Sequence, residues 1–217
     1  MKIFIDFDDT IFNTKKFKHD LISIFLKHGV TLSDFENSYY AFQKPNKTKG
    51  LHYDPRAQIR ALKKNNRGDG KKLEEEISVF LSKLETYVFG DVLKFLQMFP
   101  RRNLFILSYG HDVFQRKKIK GAGISGLVRR VFVNGNNKIE LVMYLARKYA
   151  FSPKEDIILI DDRSEQLSRT KKTQQRVKTF HICRKEGRYS DLVCLEKDYS
   201  VKNLKEAARI IKKEKMQ

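Results

Sequence analysis

Four aspartates close two apolar runs in this 217-residue sequence. Asp6 and Asp8 follow Ile3-Phe4-Ile5, and Asp161-Asp162 follow Ile157-Ile158-Leu159-Ile160. Short continuous apolar runs of this kind read as buried strands. Ligands in open α/β sheets bind outside the carboxyl ends of the strands, so both acidic pairs are placed to face one crevice. Carboxylates gathered there repel one another unless a proton or a cation neutralises them. Oxygen ligands in an otherwise open site suit Mg2+ better than zinc, and no His or Cys cluster has ligand spacing. The plainer reading is that strand-end aspartates cap the helices that follow, and it is strongest for Asp162 alone.

The elements that must position these acids are legible. Besides residues 3–7 and 156–161, strand-like runs occur at 103–108, 127–133 and, more polar and nearer an edge, 177–182. Continuous rather than alternating apolarity is what a parallel sheet covered on both faces requires. Helical patterns separate the runs at 91–99, 138–149, 164–172 and 201–213. Strands alternating with helices predict an α/β fold, a Rossmann-like doubly wound parallel sheet.

The stretch between the first two strands is too long for one crossover and reads as a helical insertion over about 15–90. Phe17, Leu21, Ile24, Phe25 and His28 form one apolar face, with Gly29 at the stop. Ser33-Asp34-Phe35-Glu36 reads as a capping box, and Asp54-Pro55 as an N-cap with proline at the first helical position. Leu73, Ile77, Phe80, Leu81, Leu84 and Val88 predict a fourth, long helix. The loop from Gln43 to Tyr53 reads as a lid, and residues 65–70 as a turn. Tyr39-Tyr40-Ala41-Phe42 either packs within the insertion or lines a pocket.

Composition bounds the partners. With 41% hydrophobic residues and 16 Phe the chain can bury a core, which excludes charge-driven disorder. Cys183 and Cys194 cannot build a disulfide framework and fit a reducing, cytoplasmic setting. No apolar run has membrane-spanning length and no secretory segment is visible. The formal charge is +19, which favours anionic partners. It is spread as −2 over 1–14, +6 over 15–90, +9 over 91–150 and +6 over 151–217. Charge so dispersed, without a zinc finger, an RNA-recognition motif or a reading helix, leaves a nucleic-acid partner open but indicated by no motif.

Ile3-Phe4-Ile5-Asp6-Phe7-Asp8-Asp9-Thr10 resembles the first motif of the haloacid dehalogenase (HAD) superfamily, an apolar strand followed by D-x-D-x-T. Ser108, Lys138 and Asp161-Asp162 are similar to the second, third and fourth motifs, in that order. The resemblance implies a HAD-like core of 1–14 and 91–217 with an alpha-helical cap over 15–90. It implies Asp6 as the nucleophile that forms an aspartyl-phosphate and Asp8 as the acid and base. Mg2+ would be held by Asp6, the backbone carbonyl of Asp8, Asp161 and Asp162; Ser108 and Lys138 would bind the phosphoryl group, and Thr10 would orient Asp8 and the turn.

The function implied is a Mg2+-dependent phosphatase, a phosphoric monoester hydrolase acting on a small phosphorylated metabolite. A phosphomutase or phosphonate hydrolase shares the same residues, whereas a dehalogenase needs neither Asp8 nor Mg2+. The alternatives are a nucleotide or polynucleotide-end phosphatase, and a basic nucleic-acid-binding module on a decayed hydrolase fold.

Overall fold

The computed structural model describes residues 1–41, 52–64, 70–134, 138–190 and 193–214. Its centre is a six-stranded parallel sheet: β1 (Lys2–Asp6), β2 (Leu104–Tyr109), β3 (Arg130–Asn134), β4 (Ile157–Asp161), β5 (Lys178–Ile182) and β6 (Tyr199–Val201). The strand order is β3-β2-β1-β4-β5-β6. The chain builds outward from β1 to β3 and then returns to the other side of β1 with β4. The order therefore reverses at β1, and the crevice above that reversal is where such sheets bind ligands.

Alternation along the strands sends side chains to opposite faces, and each face has its own apolar cover. Phe4, Phe105, Leu107 and Leu159 cluster with Ile139, Val142 and Leu145 of α7 (Lys138–Lys148) and Leu167 of α8 (Ser164–Thr173). Ile3, Ile5, Ile106, Ile158 and Ile160 face the other way. They meet Val92 and Phe95 of α5 (Val92–Gln97), Phe114 and Ile119 of α6 (Asp112–Gly121), and Leu204, Ala207 and Ile211 of α9 (Leu204–Glu214).

Between β1 and α5 lie α1 (Thr14–Lys27), α2 (Leu32–Ala41), α3 (Pro55–Lys64) and α4 (Gly70–Phe80). Phe17, Leu21 and Phe25 supply the buried face of α1. Gly29 ends it at φ +79, a backbone angle that glycine adopts without steric cost. The insertion shares one apolar cluster with the sheet rather than forming its own. Ring contacts mark the continuity: Phe7 and Phe12 stack with centroids 4.9 Å apart, Phe12 and Phe17 meet at a tilt at 5.4 Å, and Phe17 and Phe80 stack at 5.3 Å. A second junction lies at Gly121, whose carbonyl accepts the Leu84 N–H at 2.8 Å. A Cβ on Gly121 would sit 2.1 Å from the Leu81 carbonyl oxygen, so only glycine permits this approach.

Several elements differ from their sequence reading. The edge strand β6 has three residues and too short a pattern to be read. The fourth insertion helix stops at Phe80; Leu84 and Val88 lie beyond it on either side of a short 3-10 turn at Glu85–Tyr87, with Val88 bridged to Phe12, although Leu84 remains fully buried. The cap of α2 is Thr31 rather than Ser33, since Thr31 Oγ1 accepts the Asp34 N–H at 3.1 Å. The third strand begins at Arg130, after a short helical turn at Ser125–Leu127. Pro55 opens α3 as expected, with Asp54 accepting the Arg56 N–H at 3.2 Å. Residues 43–51 of the expected lid, Phe42 and the turn at 65–69 lie outside the described residues. No helix among the described residues is long and apolar enough to cross a membrane.

Candidate active site

Strand register brings the acids together. Ile5 of β1 stands opposite Ile160 of β4, so Asp6 and Asp161 leave their strands at one level, with Asp162 the next residue. Asp6, Asp161 and Asp162 are all buried, and one carboxylate oxygen from each lies within 4.8 Å of the others. Lys138, the first residue of α7, is 3% exposed and drives its ammonium between Asp6 and Asp161, 2.6 Å from Asp161 Oδ2. Burial lowers the Lys138 pKa, but Asp161 and Asp6 outweigh it and hold the group above the ordinary lysine value.

One ammonium cannot balance three carboxylates. Burial, with Asp161 and Asp8 nearby, raises the Asp6 pKa to about 7 against the pull of Lys138. Burial and the charges of Asp6 and Asp161 push Asp162 well above its ordinary value. Asp162 Oδ2 is buried without a hydrogen-bond partner among the described residues. Excess negative charge and an orphaned oxygen are what a hard divalent cation would relieve, so the donor set fits Mg2+.

Asp8 has a separate environment, and its carboxylate is not part of the acidic cluster. Its Oδ1 accepts from Lys118 Nζ at 2.5 Å and Thr14 Oγ1 at 2.9 Å, and its Oδ2 accepts from Gln115 Nε2 at 2.7 Å. Burial raises the Asp8 pKa, but Lys118 and Arg188 together with the hydrogen bonds bring it down to about 2. Lys118 itself is 3% exposed, its ammonium 5.0 to 5.5 Å from the rings of Phe7, Phe12, Phe17 and Phe114.

Thr10 does not take the orienting role expected of it towards Asp8. Its hydroxyl is buried without a hydrogen-bond partner among the described residues, and Thr14 supplies the hydroxyl instead. The Thr10 carbonyl holds the turn, accepting from Arg184 Nε at 3.2 Å and Nη2 at 2.8 Å. Asp9 sits at φ +58 and is fully buried; it accepts the Thr14 N–H at 3.3 Å and pairs with Arg188. Ser108 lies in β2 one residue beyond Leu107, the partner of Asp6. It is buried and is not one of the residues that line the cavity beside Asp6 and Asp8, and its hydroxyl has no partner among the described residues.

Asp6, Asp8, Lys138 and Asp162 line a cavity of about 460 Å3. The insertion contributes Phe17, Leu21, Tyr39 and Tyr53 to its wall, and Lys18, Arg163 and Arg188 also border it. Gln115, Lys118 and Thr14 were not singled out by the motifs. Lys118 sits inside the basic run Arg116-Lys117-Lys118-Lys120, which in sequence offers only rivals to Lys138 for the lysine of the third motif. The available signal was helical spacing: Phe114, Gln115, Lys118 and Ile119 fall on one stripe, and all four are buried.

Sheet, strand order and helical insertion give this chain the fold of the haloacid dehalogenase-like hydrolases. A haloacid dehalogenase-like hydrolase of Burkholderia xenovorans LB400 superposes with a TM-score of 0.76 at 19% identity, over 97% of this chain and 96% of that one. The HAD-hydrolase YfnB of Bacillus subtilis, whose structure is bound to magnesium, gives 0.63 at 16%, over 97% of each chain. The L-2-haloacid dehalogenase PA0810 gives 0.64 at 16%, over 97% of this chain and 98% of that one. No protein-family model matches the sequence, and no curated protein matches it.

Proposed function

We propose that the chain is a Mg2+-dependent phosphatase that hydrolyses a small phosphorylated metabolite through an aspartyl-phosphate. The observation that carries this reading is the buried cluster of Asp6, Asp161 and Asp162, clamped by Lys138 beside a cavity that also receives Asp8. The magnesium-bound Bacillus neighbour, which shares the fold, supports the choice of ion.

In this reading Asp6 attacks phosphorus, an O–P bond forms to its carboxylate, and the bond to the leaving oxygen breaks. Water then attacks the same phosphorus and frees Asp6. Lys138 fixes the Asp6 carboxylate and offers positive charge to the phosphoryl oxygens, and Ser108, whose hydroxyl has no partner among the described residues, would donate to them. Asp6, Asp161, Asp162 and the Asp8 carbonyl would hold Mg2+, which when bound offsets the repulsion between carboxylate and phosphate.

Asp8 is held as an ionised carboxylate by Lys118, Gln115 and Thr14, so it stands ready to take a proton from the attacking water. Its earlier step, protonating the leaving oxygen, draws on the proton of a monoanionic phosphate ester, since such esters titrate near pH 6. The dehalogenase neighbours share the fold, but the paired acids and the held Asp8 favour phosphoryl transfer over carbon–halogen cleavage. The test is phosphate release from p-nitrophenyl phosphate, with and without Mg2+, beside halide release from a 2-haloacid. Metal-dependent phosphate release that Asp6→Asn abolishes supports the reading; halide release alone overturns it.

A further inference from the structure

The cavity wall combines charged and polar side chains with aromatic rings. Several of the polar side chains are engaged with one another: Thr14, Gln115 and Lys118 all donate to Asp8. Arg188 pairs with Asp9, and Arg163 with Glu165. The same wall carries a set of rings, Phe17, Tyr39, Tyr53, Tyr109 and Phe114. Tyr39 and Tyr53 lie 4.5 Å apart between centroids, and Tyr53 meets Phe114 edge-on at 5.6 Å. Tyr109, also in the lining, meets His52 edge-on at 4.7 Å.

This wall is held in place from behind. The Tyr53 hydroxyl donates to Gln58 Oε1 at 2.7 Å. Gln58 is fully buried, and its amide donates to the Phe35 carbonyl at 3.0 Å and to Ser38 Oγ at 2.9 Å, tying α3 to α2. Lys18 reaches over Tyr39 with its ammonium 4.3 Å from the ring centroid. A ring has two side-chain torsions, and one already fixed by a buried amide loses little freedom on binding.

We propose that the leaving group of the substrate carries a planar aromatic ring that packs against the Tyr39–Tyr53 wall. The substrate class is a small phosphomonoester of a nucleoside or of another aromatic alcohol, rather than a sugar or polyol phosphate. This rests on the phosphatase reading of the acidic site. A polyol would bring hydroxyl groups that need hydrogen-bond partners, and burying them against ring faces is costly. A planar ring gains from the same surface, because aromatic faces stack on it irrespective of its identity. The cavity, about 460 Å3, lies in the size range of small-ligand sites.

The experiment compares kcat/KM for adenosine and uridine monophosphates, phenyl phosphate, glucose phosphate and glycerol phosphate under one Mg2+ condition. It uses the wild type, Tyr39→Leu and Tyr53→Phe, with melting curves to show that each variant is folded. The ratio of aromatic to polyol kcat/KM is expected to fall about 5- to 150-fold in Tyr39→Leu, the equivalent of about 1–3 kcal/mol of stacking. Tyr53→Phe keeps its ring and is expected to keep most of the ratio. Preference for the nucleotides over phenyl phosphate assigns the ring to a nucleoside; equal use of both assigns it to aromatic alcohols generally.

A parallel arm measures binding of adenosine monophosphate to Asp6→Asn by calorimetry. Polyol phosphates hydrolysed as well as aromatic ones, or a ratio unmoved by Tyr39→Leu, overturn the inference and leave the phosphatase reading standing. Binding that depends on Tyr39, with no phosphate released from any ester by the wild type, overturns the phosphatase reading and keeps the aromatic site. Neither binding nor hydrolysis overturns both.

Discussion

Replacing Lys118 with methionine removes the cation that neutralises Asp8 while keeping the length of the side chain. The ammonium is 2.5 Å from Asp8 Oδ1, with the two side chains 3% and 16% exposed, so the pair is shielded from solvent. Removing one partner of a buried pair costs about 3–5 kcal/mol, because the other charge is left uncompensated. Asp8 keeps Gln115 and Thr14 and faces the cavity, which places Lys118→Met at the lower end, about 3 kcal/mol. Asp8→Asn leaves the ammonium among four rings, whose faces recover part of the loss at about 0.5–2 kcal/mol for a cation–π contact. The double variant leaves no unpaired charge. Its destabilisation is therefore expected to fall short of the sum of the singles by about 2–3 kcal/mol, within the range of contacting residues. Urea unfolding of the four proteins, read at constant m, measures this coupling. Additivity within about 0.5 kcal/mol would show that Lys118 and Asp8 act independently, and the account of Asp8 as a held carboxylate would fail.

Gly121→Ala forces a methyl group against the Leu81 carbonyl and should cost about 1–3 kcal/mol or more, read as a lowered Tm; an unchanged Tm would contradict the close approach. Ile5→Ala, at a fully buried position in the central strand, should destabilise by about 2–5 kcal/mol in urea unfolding. Burial raises the Asp20 pKa, but hydrogen bonds from Lys16, His19 and Tyr87 lower it overall to about 2. Its folded pKa is thus below the unfolded one, so its stabilisation is complete above about pH 4 and is lost as pH falls towards 2. Asp20→Asn should flatten stability against pH across that window, and an unchanged slope would refute the contribution. Mg2+ should raise the Tm of the wild type, and Asp162→Asn, lacking one carboxylate of the cluster, should shrink that rise; an equal rise in both would remove Asp162 from the metal site.

The sheet was legible because its central strands are continuous apolar runs ending in acids. That pattern in β1 and β4 specified both the strands and the edge of the crevice. β6 was not, because Tyr-Ser-Val is too short to show a period. Thr10 and Thr14 illustrate a local limit: both follow the strand, and only the left-handed turn at Asp9 decides which hydroxyl reaches Asp8. Lys118 illustrates a non-local one. Among its basic neighbours nothing marks it, until α6 packs Phe114 and Ile119 inward and carries Lys118 towards a carboxylate 110 residues away. Ring contacts between Tyr39 and Tyr53 likewise join segments whose spacing in sequence carries no signal.

The central claim is that Asp6 forms a covalent bond to phosphorus. The most direct measurement is an acid-quenched single turnover with Mg2+ and a phosphomonoester, followed by mass analysis of the peptide containing Asp6. The account predicts a transient gain of one phosphoryl group on Asp6, decaying as phosphate appears and absent in Asp6→Asn. Phosphate release with no such adduct at any time, and with full activity in Asp6→Asn, would contradict it.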